Sequence, residues 1–140
     1  MVRKRSLVLG FVALLFQFVL TLSPAYAEKE LRLTVWDGDE SLRVLREVIA
    51  EFEKEHPGVK VRLENVDYRY YFQRLLSQIA GNSAPDVAML DPQNMQMFSK
   101  RGALLPLDPL IAESPTFKLD DYYNPIVEVF RWEDQLYVLP

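Results

Sequence analysis

The sequence of 140 residues contains no cysteine. Disulfide cross-links, thiolate metal sites and a cysteine nucleophile are therefore excluded, and no cysteine is present to carry a lipid anchor. Histidine occurs once, as His56 ahead of Pro57. A single imidazole at a helix end offers neither a base–nucleophile pair nor a metal cluster, and reads as a solvent-side residue whose positive form suits a helix C-terminus. The five glycines form no phosphate-cradling loop and no G-x-S-x-G turn. Carboxylates are abundant but spread over amphipathic surfaces, so no pair is marked as the acid and nucleophile of a glycosidase. Positive charge is scarce too: no basic cluster exceeds Lys100-Arg101. The acidic balance opposes binding to nucleic acid or anionic membrane.

What is present begins with a distinct segment. Residues 1–27 hold Arg3, Lys4 and Arg5, no acidic residue, an apolar run from Leu7 to Leu22, and then Ser23-Pro24-Ala25-Tyr26-Ala27. A basic start, a short apolar run and a small-x-small ending have the form of a secretory signal peptide cleaved after Ala27. The run is short for a membrane span. The expected mature chain starts at Glu28 and is soluble, in a periplasm or released outside. Without the signal segment, 13 Lys and Arg face 20 Asp and Glu. The remaining 113 residues suffice for one domain with a core, and no repeat or linker divides them.

Hydrophobic periodicity then organises the chain. Leu31 to Trp36 reads as a strand, followed by the Trp36-Asp37-Gly38-Asp39 loop. From about Ser41, Leu42, Leu45, Ile49 and Phe52 recur at helical spacing until Pro57-Gly58 stops the helix. Val59, Val61 and Leu63 alternate with charged residues, which predicts an edge strand. Phe72, Leu75, Leu76 and Ile79 form the inner face of a second helix ending near Gly81-Asn82. Val87 to Leu90 is an unbroken apolar run, the pattern of a strand buried on both faces, and so is expected to be central. This alternation predicts a parallel α/β sheet in the order 2-1-3 with right-handed crossovers. Beyond it, Met95 and Phe98 mark a short helix closed by Gly102, and Leu104 to Pro109 a proline-punctuated connection. Asp121 to Arg131 reads as a helix with Tyr123, Ile126, Val127 and Phe130 inward, and Leu136 to Leu139 as a last strand.

In this order, several segments resemble the family 1 extracellular solute-binding proteins, the group that includes maltose-binding protein. They are Thr34-Val35-Trp36, Phe52 to Val61, Gly81 to Val87, Gly102 to Asp108, and Leu136 to Pro140. The resemblance implies a periplasmic binding protein-like (type II) α/β lobe with the second lobe missing, so the chain is expected to be an N-terminal fragment. It implies the solute-binding component of an ABC importer, which captures a sugar or oligosaccharide without chemistry and delivers it to ABC permease subunits. A monomer without cofactor or metal is expected. Phe52, Pro57, Gly58, Pro85 and Asp86 also have structural reasons independent of any family. Pro57 and Gly58 end a helix and tighten a turn, Pro85 biases Ala84 toward extended backbone, and Asp86 can accept amide hydrogen bonds where a strand begins.

Ligands of open parallel sheets sit beyond the carboxyl ends of the strands. Here those ends are 36–41, 65–69 and 91–94. The candidate contacts are Trp36, Asp37, Asp39, Glu40, Tyr68, Asp91, Gln93 and Asn94. The carboxylates and amides can form paired hydrogen bonds with vicinal hydroxyls, and the aromatic faces suit the C–H side of a sugar ring. By the resemblance, Gln93 and Asn94 fall where similar proteins hydrogen-bond sugars. Each residue also has a structural alternative: Trp36 as core, Asp39 or Ser41 as the first helix cap, Asp91 as the third. Tyr68, Tyr70 and Tyr71 can equally be half-exposed tyrosines at a helix start. Three rival functions stay open: the same fold binding a polyamine, iron or an anion, a secreted enzyme, or a sensor ectodomain.

Overall fold

The computed structural model describes residues 28–140, so the expected signal segment lies outside the described residues. Strands β1 (Lys29–Val35) and β2 (Val59–Asn65) pair in parallel along their whole lengths, from Lys29 opposite Val59 to Val35 opposite Asn65. Strand β3 (Val87–Ala88) joins the other side of β1, also parallel, with Leu33 opposite Val87. The order β2-β1-β3 is the expected one. Because all three strands run the same way, their carboxyl ends share one rim.

The third strand departs from expectation in position and length. It is the outer strand among the described residues, and Val87 is 55% exposed. Only two residues enter the ladder, although the Met89 N–H still donates to the Thr34 carbonyl at 2.9 Å. An apolar run reports apolar surroundings rather than strand neighbours. Leu90 is buried in the core, while Val87 faces an open apolar groove.

Helix α1 (Asp39–Glu55) starts earlier than the periodicity implied. Gly38 is its N-cap residue, with no side-chain cap bond, and the Gly38 carbonyl accepts the first helical bond from Leu42 N–H at 2.9 Å. Asp39 and Ser41 are therefore helical and cap nothing, while Asp39 and Glu40 place negative charge in the first turn, where the helix dipole favours it. At the other end His56 stacks on Phe52 at 4.2 Å, and Gly58 turns the chain with φ 93°, a region that suits glycine.

Helix α2 (Tyr68–Ala80) is capped by Asp67, whose side chain accepts from Arg69 N–H. Its three tyrosines do not behave alike. Tyr68 and Tyr70 are exposed, but Tyr71 is 1% exposed and belongs to the core. The helical step puts Tyr71 on the same face as Leu75, and its hydroxyl is satisfied by donating to the Thr34 carbonyl at 2.9 Å. Burial pushes the Tyr71 phenol up to about 12. Past the helix, Asn82 rather than Gly81 adopts the left-handed conformation, with φ 51°.

Helix α3 (Pro92–Lys100) inserts Met95 and Phe98, both fully buried, beside Tyr71, Leu75 and Leu90. Gly102, at φ 63°, closes it as expected. The predicted proline-rich connection runs into a helix, α4 (Asp108–Glu113), because Pro109 falls in the first turn, where its missing N–H costs nothing. The helix expected over 121–131 shrinks to α5 (Asn124–Glu128). Pro125 is confined to a first turn, so the helix cannot extend back through Tyr123. Tyr123 and Ile126 are consequently exposed, and Val127 is the buried residue of that turn. Of the last strand expected over Leu136 to Leu139 only Leu136 is in a strand: it ends β5 (Gln135–Leu136), which pairs with β4 (Arg131–Trp132) in a hairpin turned by Glu133 and Asp134 at positive φ. Asp108 ties α4 to this hairpin, accepting from Leu136 N–H at 2.7 Å and from Arg131 at 3.0 Å.

On the sheet, Glu64 gathers Arg32, Arg74 and Arg62 at 3.0, 3.0 and 3.6 Å. The Arg32 hydrogen bond, followed by the surrounding positive charge, holds its carboxyl below the ordinary value of 4.5. Arg32 also donates its main-chain N–H to Asp86 at 2.8 Å, which gives Asp86 the scaffold role expected of it.

Two outcomes test this frame. Tyr71→Phe deprives the Thr34 carbonyl of one of its two donors and should cost about 1 kcal/mol, a melting shift of roughly 4 °C by calorimetry. Glu64 has a depressed folded pKa, so it adds stability above pH 4.5 that is lost as pH falls through the folded value. Glu64→Gln should therefore destabilise the protein at pH 7, and its deficit against wild type in urea titrations should shrink below pH 4.5. A deficit independent of pH would refute the assignment.

Candidate functional site

The rim at the carboxyl ends of β1 and β2 holds a cleft of about 400 Å³ lined by Trp36, Asp37, Asn65, Val66, Asp67 and Tyr68. It forms where it does because both strands end together. After Val35 opposite Asn65 the ladder stops, and the chains diverge toward α1 and α2. Val66 N–H makes a last bond to the Val35 carbonyl at 2.9 Å.

Trp36 supplies the floor. Its ring meets Tyr71 at 4.5 Å, Phe72 at 5.2 Å and Tyr68 at 5.5 Å, edge-on to both tyrosines. Half-buried, it rests one side on the core and presents the rest to the cleft. Trp36 thus packs on the core, as its structural alternative expected, and also lines the cleft. Such edge-on packing fixes an aromatic ring at little entropic cost.

Asp37 is held by its main chain. Its N–H donates to Asn65 Oδ1 at 2.9 Å and its carbonyl accepts from Asn65 Nδ2 at 3.0 Å. One carboxylate oxygen accepts from Gly38 N–H at 2.9 Å, and the other has no hydrogen-bond partner among the described residues. Across the cleft, the Tyr68 hydroxyl donates to Asp91 Oδ2 at 3.2 Å, joining the second loop to the third. That hydrogen bond, with the Asp91 charge behind it, raises the Tyr68 phenol above 10.0. Asp91 is also the N-cap of α3, accepting from Asn94 N–H at 2.7 Å and from the Asn94 amide at 2.9 Å. Asp67 is lowered below 3.8 by the Arg69 side chain and then the Arg69 N–H.

Of the eight residues singled out from sequence, Trp36, Asp37 and Tyr68 line the cleft, and Asp91 with Asn94 adjoins it through Tyr68. Asp39 and Glu40 lie exposed in the first turn of α1, with Glu40 paired to Arg43 at 2.6 Å, and Gln93 is exposed in the first turn of α3. None of these three lines the cleft. Asn65, Val66 and Asp67 line it without having been singled out; their signal was their place at the end of the second strand.

A second, larger cavity of about 790 Å³ opens beside β3 between Leu75, Val87, Leu104, Leu110, Phe130 and Leu139. Asp86 is the one charged residue in its lining. Apolar walls without paired donors and acceptors do not suit a polar solute, so the smaller aromatic and acidic cleft is the candidate site for one. Among the described residues, no group of three or more His, Asp or Glu is placed to hold a metal ion, and no helix is long and apolar enough to cross a membrane.

A family model described as bacterial extracellular solute-binding protein matches residues 37–140. Among solved structures, an ABC substrate-binding protein from Listeria monocytogenes in complex with cycloalternan is 25% identical with a TM-score of 0.73, covering 79% of this chain and 28% of its own. The sugar-binding protein MalE from Xanthomonas citri is 27% identical with a TM-score of 0.73, covering 80% and 28%. The GacH receptor of Streptomyces glaucescens, solved unliganded and with acarbose, is 25% identical with a TM-score of 0.71, covering 81% and 29%. The chain thus spans less than a third of the length of these relatives.

Asp91→Ala removes a helix cap and the acceptor of Tyr68 in one step. It should lower stability by about 1 kcal/mol and return the Tyr68 phenol toward 10.0, read by NMR titration of ring-labelled tyrosine. An unmoved Tyr68 titration would refute the contact.

Proposed function

We propose, from the premise that the chain belongs to the bacterial extracellular solute-binding proteins and has the fold of a type II periplasmic binding lobe, that it captures a sugar or oligosaccharide for an ABC importer. The observation that carries this reading is the cleft itself: the Trp36 and Tyr68 rings beside the free oxygen of Asp37, at the carboxyl rim of a parallel sheet. An aromatic face takes the C–H side of a pyranose, and a carboxylate oxygen accepts from a hydroxyl pair. The relatives solved with cycloalternan and acarbose support the same class of solute.

Asp37 and Asp67 line the cleft, Asp67 paired with Arg69 at 3.1 Å, and among the described residues no cationic side chain lines it, which disfavours anionic solutes. No bond is made or broken. Selectivity arises because a buried polar group left without its matching hydroxyl costs about 1–3 kcal/mol. In a two-lobe receptor this lobe supplies one wall of the site. Closure of the second lobe about a hinge traps the solute, and the closed form docks on the permease, in the periplasm or outside the cell.

A thermal-shift screen against mono- and oligosaccharides, polyols, glycerol phosphates, polyamines and ferric ion tests the reading. A sugar at about 100 times its dissociation constant stabilises the folded state by roughly 2.7 kcal/mol. Trp36→Ala should weaken that sugar about tenfold. Silence from every sugar beside a response to a polyamine or to ferric ion would overturn the proposal.

A further inference from the structure

Trp36 is held by its packing on Tyr71 and Phe72, but Asp37, the next residue of the loop, has little of its own to hold it. Gly38 separates Asp37 from α1, nothing lies within 4 Å of where its side chain would start, and the helix has no side-chain cap. The ladder between β1 and β2 ends at Val35 opposite Asn65. Without a further tie, the Asp37–Gly38 backbone beyond the packed Trp36 ring would be free to swing on the glycine.

That tie is the side chain of Asn65. Its amide meets the Asp37 main chain twice, accepting the N–H at 2.9 Å and donating to the carbonyl at 3.0 Å. A carboxamide carries the same donor and acceptor pair as a peptide group, so Asn65 extends the β1–β2 ladder by one rung after the backbone of β2 has turned away toward Val66. The residue type is demanding. Asp offers no donor to the Asp37 carbonyl, Ser and Thr cannot span both groups, and Gln is one methylene too long for this rung.

Burial does not explain the arrangement. Asn65 is exposed and lines the cleft, so neither bond is needed to satisfy a buried group, and water would serve both Asp37 atoms if the amide were removed. The effect of the pair is positional: it holds the Asp37 main chain beside the packed Trp36 ring, and both residues line the cleft.

We infer that Asn65 is a positioning residue of the solute site, clamping the Asp37 loop in its binding geometry before the solute arrives. This rests on the reading of the cleft as a sugar site. A loop fixed beforehand spares the solute the cost of ordering it, so loss of the clamp should appear in affinity rather than in global stability.

The test compares the full chain with Asn65→Ala and Asn65→Asp. Amide hydrogen exchange of Asp37 and of the β1 residues is followed by NMR without solute. Isothermal titration then uses maltotriose, together with whichever sugar of the screen stabilises the wild type. Asn65→Ala should speed exchange at Asp37 while leaving β1 amides and the melting temperature unchanged, and should weaken sugar binding about tenfold. Asn65→Asp, which retains the acceptor alone, should fall between the two. Unchanged exchange at Asp37 in Asn65→Ala would show that no clamp exists, whatever the protein binds. Faster exchange with unchanged sugar affinity would show a clamp without a role in binding. A wild type that binds no sugar at all overturns the sugar reading itself, and the role of Asn65 with it.

Discussion

The carbonyl of Thr34 is the point on which the lobe is assembled. It accepts the Tyr71 hydroxyl from α2 and the Met89 N–H at the end of β3, both at 2.9 Å. Thr34 is itself 3% exposed, so these bonds form where water cannot replace them. One oxygen thereby fixes the crossover helix against the central strand and holds the outer strand parallel to it. Tyr71 then anchors the aromatic stack that runs through Trp36, Phe72 and Phe98. The cleft floor is the outer face of that stack, which is why core packing and the cleft lining meet in the same few side chains.

From this junction the parallel direction of the sheet does the rest. Three strands running together put three loops on one rim, and side chains close the gaps between them. Asn65 joins the first loop to the end of β2, and the Tyr68–Asp91 bond joins the second loop to the third. Asp91 serves two ends at once, capping α3 and receiving Tyr68. Its position at the mouth of the site follows from helix capping before any solute is considered.

The outer edge of the sheet along β3 is of another kind. Val87, Leu105, Leu110 and Leu139 are exposed around the apolar groove beside β3, and the outer edge of that strand is unpaired among the described residues. Val44 and Val48 are likewise exposed on α1. The aromatic and acidic cleft on one rim and the apolar surface along the outer strand are separate features of the lobe, carried by different residues.

Order, direction and the main faces were legible in the residues alone. Alternation at Val59, Val61 and Leu63 marked a strand buried on one side, and the spacing of Phe72, Leu75, Leu76 and Ile79 marked the inner face of α2; both patterns depend only on the repeat of the backbone. The strand ends also located the rim, and with it Trp36, Asp37 and Tyr68. What lay beyond reach were the relations between segments distant along the chain. The run Val87 to Leu90 could not say which strand lies beside it, and three neighbouring tyrosines could not say that only Tyr71 turns inward. Nothing local distinguished Asn65 from any polar residue at a strand end, because its partner is 28 residues away. The elements and the rim at which the strands end were set by the residues alone, since these follow from periodicity and strand direction. Tertiary structure alone decided which polar groups meet across that rim, since a hydrogen bond between loops exists only once the strands beneath them are in register.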